Sequence, residues 1–244
     1  MKKAIQTNNL TKKYNGLIAV DSLNLSIEEG ELFALLGING AGKTTTIKML
    51  SCLEKPTEGE AWILGNSILS KSQKVKELIS VSPQETAIAP NLSVKENLKF
   101  MCGIYGMGKE EVQEKTEKII KEFELDEIAN KKARLLSGGW QRRLSIAMAL
   151  ITEPQVLFLD EPTLGLDVIA RRELWKSIIK LKGKVTVILT THYLEEAEKL
   201  SDQIGIMSKG NLVATGTAEK FIKETGTKNF EDAFVALYER GTIK

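Results

Sequence analysis

Residues 37–44 read GINGAGKT and match the spacing G-x-x-x-x-G-K-[ST]. In that pattern glycines let the backbone approach phosphate oxygens closely. Lys43 can reach a β- or γ-phosphate, and the Thr44 hydroxyl suits Mg²⁺. An apolar run, ELFALLG, precedes the loop and a helical-looking TTTIKMLSCL follows it, which is the context the motif requires. A glycine-rich turn that binds nothing would not need the lysine, the threonine and both flanks.

A second run, VLFLDEP, ends a buried-looking strand with two carboxylates. Ligands of open α/β sheets bind at the carboxyl ends of strands, so Asp160 suits the Mg²⁺ shell and Glu161 suits polarising a water that attacks the γ-phosphate. Alone, the pair would read as a turn cap. The single histidine, His192, follows a third apolar strand, VTVILTT. A lone histidine is more often structural; here its imidazole could also hydrogen-bond a γ-phosphate or the attacking water. No G-x-S-x-G elbow accompanies it, which argues against a serine hydrolase.

The stretch LLSGGWQRRLS offers exposed amides at a helix start, another anion site. Ser137 can cap the helix while its hydroxyl and the Gly138 and Gly139 amides face a phosphate. One phosphate loop already serves the chain's own nucleotide, so this second one makes sense facing the nucleotide of another subunit. An ordinary helix cap with Leu144, Ala147, Met148 and Ile151 as core stripe is the plainer reading. It leaves two adjacent glycines, which weaken a helix, unexplained.

Several elements must hold these residues. SLNLSI alternates Leu23, Leu25 and Ile27 as a strand, KPTEGE reads as a turn, and AWIL and ISVSP as strands around a short helix, QKVKELI. Between Ser93 and Thr152 the pattern turns helical, with three amphipathic segments; Val112, Ile119, Ile120 and Phe123 share one face of the second. Strands resume at VLFL, VTVILT and IGIM, with RRELWKSIIKL between the first two, so a parallel sheet of βαβ units is expected. The tail FEDAFVALYER reads as a helix with Phe230, Phe234 and Leu237 on one side.

The 244 residues are 42% hydrophobic and 27% charged with a formal net charge of +2, a globular composition that points to no nucleic-acid partner. Cys52 and Cys102 lie far apart without a CxxC, which fits a reduced, cytosolic setting and leaves no zinc or other metal cluster. The first twenty residues lack the apolar core of a signal peptide. No run reaches the roughly 18 apolar residues of a spanning helix.

Taken together the motifs resemble, over nearly the whole length, the ATP-binding subunit of an ABC transporter. GINGAGKT corresponds to Walker A, VLFLD with Glu161 to Walker B, and LSGGW to the signature. Gln84 in SVSPQE, Asp167 in LGLD and His192 correspond to the Q-, D- and H-loops, and Tyr14 in KKYNG to the aromatic that stacks on adenine. The resemblance implies an α/β fold: a P-loop NTPase core with a parallel sheet, an N-terminal antiparallel β part and an inserted helical lobe at about 85–155. An ATP-binding domain would span 1–228 and a short helical extension 229–244.

ATP and Mg²⁺ are the implied ligands. Gly37, Asn39, Gly40, Ala41, Gly42, Lys43, Thr44 and Thr45 would hold the phosphates. Thr44, Gln84 and Asp160 would surround the metal, with Gln84 joining it to the helical lobe. Glu161 and His192 would be catalytic. Ser137, Gly138, Gly139 and Asp167 would meet the ATP of a second ATP-binding subunit, identical or different, in a head-to-tail dimer. A transmembrane permease would dock on the helical lobe, placing the chain peripherally on the cytoplasmic face of the membrane.

The chain departs from the family pattern at Trp140, where the signature usually has Gln, at Ile38, where proline is common, and in the D-loop wording TLGLD. Trp140 could pack within the lobe or touch the dimer contact. GKTTTIKML, GLDVIARRELW, THYLEEAEKLSDQIGIM and the tail are similar to the group serving ABC-2 type exporters, including drug and antibiotic efflux. A soluble ABC ATPase of iron–sulfur cluster assembly is the alternative, together with a module that closes on ATP without turnover. Glu161 and His192 argue against the latter.

Overall fold

The computed structural model describes residues 2–242. Its organising element is a six-stranded sheet built on the apolar runs. In sequence these strands are β4 (Leu32–Leu36), β7 (Ile79–Ser82), β8 (Val156–Asp160), β9 (Thr186–Thr191), β10 (Gln203–Ser208) and β11 (Asn211–Gly216). Their spatial order is β11-β10-β4-β9-β8-β7; β11 is antiparallel to β10 and the other pairings are parallel. A five-stranded antiparallel sheet of β1 (Lys3–Tyr14), β2 (Leu17–Leu23), β3 (Ser26–Glu28), β5 (Glu58–Ile63) and β6 (Asn66–Ser67) forms the second layer.

The unbroken apolar runs follow from burial on both faces. In β4, Leu32, Ala34 and Leu36 enter one core while Phe33 and Leu35 enter the other. β8 divides likewise, with Leu157 and Leu159 opposite Val156 and Phe158. The second core lies against the antiparallel sheet with α1 (Lys43–Leu50) and α2 (Ser72–Leu78). The first lies under α3 (Val94–Ile104), α4 (Lys109–Glu122), α5 (Gly138–Leu150), α6 (Val168–Ile179), α7 (Leu194–Leu200), α8 (Ala218–Thr225) and α9 (Phe230–Thr242). Each fully enclosed Leu or Phe contributes about 1.5–3 kcal/mol by leaving water.

Three local expectations need correction. SLNLSI is not one strand: the backbone turns left-handed at Ser22 (φ 46°), β2 stops at Leu23 and β3 begins at Ser26. Leu23, Leu25 and Ile27 stay buried, but β2 and β3 pair with different halves of a bulged β1. The KPTEGE turn is shorter than expected, because Glu58 already pairs with Thr11 as the start of β5. The third helix of the middle segment is not amphipathic past its first turn: every residue of α5 from Arg142 to Leu150 is buried. It lies between β7 and β8 on one side and α3, α4 and α6 on the other.

The other middle helices keep their pattern. A capping box starts α3, with the Ser93 hydroxyl accepting from the Glu96 amide at 3.2 Å and the Ser93 amide donating to Glu96 Oε2 at 2.7 Å. Ile119, Ile120 and Phe123 are buried and Val112 packs beside them. In α9, Phe230 and Leu237 are buried and Phe234 packs against the same core.

Candidate functional site

Strands β4, β9 and β8 are adjacent and parallel, so their carboxyl ends open on one edge. Register places Leu36 level with Thr191, and Asp160 level with Thr190. The loop after Leu36, the carboxylates at 160–161 and His192 are therefore neighbours despite their distance in sequence. The Gly37 amide fastens the loop by donating to the Thr191 carbonyl at 3.2 Å. Gly42 enters α1 at φ 101°, and a Cβ there would stand 2.5 Å from the Ala19 carbonyl oxygen; only glycine fits.

Lys43 opens α1 and is buried, its ammonium folded back into the loop. It donates to the carbonyls of Gly37 at 2.8 Å and Ile38 at 3.2 Å, and pairs with Glu161 Oε1 at 3.1 Å. The other Glu161 oxygen lies 2.6 Å from His192 Nδ1. A carboxylate only accepts, so Nδ1 carries the proton of that bond. Thr44 donates to Asp160 Oδ1 at 3.2 Å, and Thr190 donates to the same oxygen at 2.5 Å while accepting the Glu161 amide at 2.9 Å. Glu161 itself is left-handed, φ 47°, a conformation that costs a non-glycine residue about 1–3 kcal/mol unless its surroundings hold it.

A cleft of ≈ 790 Å³ opens over these groups, lined by residues 39–45 together with Tyr14, Gln84, Glu161 and His192. The Tyr14 hydroxyl donates to Glu54, and Lys12 sits over its ring at 4.9 Å. Burial, with the Glu54 carboxylate as acceptor, pushes the phenol up to about 12, so it stays protonated at neutral pH. One exposed aromatic, a lysine and a ring of loop amides suit a nucleotide. The Thr44 hydroxyl and Asp160 carboxylate are hard oxygen donors side by side. That is a fit for Mg²⁺, which takes one or two protein oxygens and completes its shell with phosphate and water.

Ser137 and Gly139 do not line this cleft. With Trp140, Arg143 and Asp167 they border a separate one of ≈ 780 Å³. Ser137 occupies the cap position of α5, but its side chain makes no capping bond, contrary to expectation, and stays exposed. Gly139 has a packing reason: a Cβ would lie 2.8 Å from that of Ala170 on α6. Gly138 has no such constraint, its nearest neighbour being Leu166 at 3.9 Å. Asp167 spends Oδ1 on the amides of Ile169 and Ala170, both 2.9 Å, as the cap of α6. Trp140 packs within the lobe, under the Arg143 guanidinium at 4.8 Å, and also borders the cleft.

Two residues of this architecture escaped sequence reasoning. Thr190 joins Asp160 to Glu161 from inside a run that reads only as a strand. Arg142 is 4% exposed and donates to the carbonyls of Pro83, Gln84 (3.1 Å), Asp160 (2.6 Å) and Pro162 (2.9 Å). Burial pulls its guanidinium down to about 10, still cationic at neutral pH. A charged residue in the helix that carries the Leu144, Ala147 and Met148 stripe was the available signal.

The phosphate loop with its lysine at one strand end, and paired carboxylates at the strand two places away, define a P-loop nucleotide-binding protein. A family model described as ABC transporter matches residues 20–164. The chain belongs to that family, among its ATP-binding subunits. It is 39% identical over 239 residues to the probable multidrug ABC transporter ATP-binding protein YbhF of Escherichia coli, covering 96% of this chain and 41% of that one. It is 37% identical over 241 residues to the daunorubicin resistance ATP-binding protein DrrA3 of Streptomyces coeruleorubidus, covering 98% and 75%. The chain thus spans well under half the length of the first relative. A solved ATP-binding subunit of an ABC transporter superposes with a TM-score of 0.84 at 26% identity, over 96% of this chain and 99% of that one. A dimeric ATP-binding cassette in a post-hydrolysis state with ADP and Pi gives 0.77 at 29% identity, over 87% and 98%. Among the described residues no helix is long and apolar enough to cross a membrane.

Proposed function

We propose that this chain hydrolyses ATP, with Mg²⁺, to drive export of a substrate through an ABC-2 type membrane partner, working as a dimer at the cytoplasmic face of the membrane. The observation that carries the hydrolytic reading is the placement of Glu161 between Lys43 and His192 at the floor of the phosphate-loop cleft. The names of the drug-resistance relatives support export. Residues 1–228 are the ATP-binding unit, with 229–244 as its extension.

Tyr14 stacks on adenine. The backbone of Gly37 and of residues 39–42, with Lys43, Thr44 and Thr45, holds the phosphates. Thr44 and Asp160, with Gln84 beside them, hold Mg²⁺, which when bound offsets charge on the phosphate oxygens. Lys43 has three N–H donors, and in this structure they serve two carbonyls and Glu161. A γ-phosphate that takes up Lys43 releases Glu161 Oε1 to act as base. Glu161 then accepts a proton from water as the water oxygen bonds to the γ-phosphorus. The bond from that phosphorus to the β,γ-bridging oxygen breaks, and ADP and phosphate leave. His192 holds Glu161 through Nδ1 and lines the cleft beside it.

Ser137, Gly138, Gly139 and Asp167 meet the partner's nucleotide; the position of Ser137, Gly139 and Asp167 on a separate cleft, with Gly138 exposed beside them, supports this, since none of the four lines the cleft over the chain's own phosphate loop. Phe100 and Ile104 on α3 and Tyr105 just after it are more than half exposed, an apolar surface of the helical lobe suited to the permease. Two measurements test the reading: Mg²⁺-dependent phosphate release by the purified chain, and co-purification with a multi-span membrane protein. Absence of ATP turnover with and without that partner would sink the hydrolytic part; retrieval with soluble scaffold proteins instead would sink the transport part.

A further inference from the structure

Glu161 sits in a left-handed conformation that its own side chain does not favour, so something must hold the peptide units on either side of it. Arg142 reaches the unit before it and, one peptide further along on the other side, the carbonyl of Pro162. Its Nη2 donates to the Asp160 carbonyl at 2.6 Å and its Nε to the Pro162 carbonyl at 2.9 Å, one on each flank of Glu161. The same guanidinium donates through Nη1 to Gln84 at 3.1 Å and to Pro83. One planar, buried cation therefore joins four carbonyls from two loops of different parts of the chain. Arg142 lies one helical turn after Gly138 and Gly139 on α5, which is enclosed on all sides from Arg142 onward. Among the described residues no side-chain carboxylate bonds to it, so its geometry is spent on backbone shape.

We infer that Arg142 is a positioning residue: it clamps the backbone that holds Glu161 in place and locks that backbone to the Gln84 loop, so displacement of the loop or of the α5 start displaces the base. The inference rests on Glu161 acting as the base in hydrolysis. A lysine is a poor substitute, because a point ammonium cannot reproduce a fork that spans both loops.

The test compares Arg142→Met and Arg142→Lys, each alone and combined with Glu161→Gln, by steady-state ATP hydrolysis and by calorimetric ATP affinity. Arg142→Met should lower kcat by about 10- to 100-fold, as a displacement of about 1 Å does, with ATP affinity changed by less than about threefold. Arg142→Lys should lie between it and the parent. Added to Glu161→Gln, Arg142→Met should cost less than about threefold more, because residues acting as a unit are not additive. An equal factor in both backgrounds, or an unaltered kcat, overturns the inference. Amide hydrogen exchange supplies a readout independent of turnover: Gln84 to Thr86 and Glu161 with Thr163 should exchange faster together in the variants. Exchange raised in neither or in only one segment also overturns it. If Arg142→Met is not recovered folded, Arg142→Lys carries the same comparisons. If the parent hydrolyses no ATP, it is the Glu161 reading that fails, and the exchange result still decides whether the clamp exists.

Discussion

His192 Nδ1 lies 2.6 Å from Glu161 Oε2, which joins the end of β9 to the residue after β8. The contact assigns the histidine a partner within the protein rather than leaving it to meet a phosphate alone. It also assigns the proton of that bond to Nδ1, because the carboxylate can only accept.

Removal of that contact should act on turnover more than on binding. His192→Ala is expected to reduce kcat by about 10²-fold, the effect of a base left loosely held, while ATP affinity stays near that of the parent. Calorimetry and phosphate release on the same preparations check this. A normal kcat would reduce His192 to a structural side chain.

Glu161→Gln keeps the volume and removes the base. Hydrolysis should slow by about 10²- to 10⁴-fold. Binding should hold or tighten, because the neutral amide no longer competes as an anion for Lys43. With ATP this variant should elute as a dimer in size exclusion, and with ADP as a monomer. Adding Ser137→Arg places a bulky cation on the exposed α5 start and should abolish the dimer. Dimerisation undiminished by Ser137→Arg would remove the composite site.

Tyr14→Ala should weaken ATP binding modestly, and Tyr14→Trp should restore it, since stacking needs only an aromatic face. Tyr14→Phe separates the two parts of the residue: it keeps the ring and loses the hydroxyl bond to Glu54. Equal affinity in the Ala and Trp variants would make Tyr14 a surface tyrosine.

A pH effect on stability should arise beside the site, at a carboxyl close enough to feel the charge of Glu161. Glu196 on α7 is fully enclosed; Oε1 accepts from Trp175 Nε1 at 2.9 Å and Oε2 has no hydrogen-bond partner among the described residues. Burial pushes its carboxyl up. The folded chain therefore holds this proton more tightly than the unfolded chain does. Its stabilising contribution is complete below the unfolded carboxylate range, about pH 4.3, and is lost as pH rises through the folded value. Glu196→Gln should remove that loss, so its urea midpoint should gain on the parent's as pH rises from about 4 to 8. Parallel midpoints would show that Glu196 does not titrate differently in the two states.

The strand–loop–helix at 37–44, the carboxylates where β8 ends and a parallel sheet of βαβ units were legible from residue types alone. Each of these is local: a lysine after glycines between a strand and a helix has few other uses, and apolar runs of strand length must be buried on both faces. The first two helices of the middle segment were equally legible from their 3.6-residue period, whereas α5, enclosed from Arg142 onward, shows no such face. The tertiary structure decided what depends on register and packing between distant segments. β8 beside β9, with Asp160 level with Thr190, brings Thr190 onto both carboxylates, and no pattern within VTVILTT announces it. The break of SLNLSI follows from two pairings with β1, and the glycine at 139 from the approach of Ala170. Arg142 was visible only as a charge in an apolar helix, because its four acceptors are backbone carbonyls, and backbone groups leave no signature in the residue types that carry them.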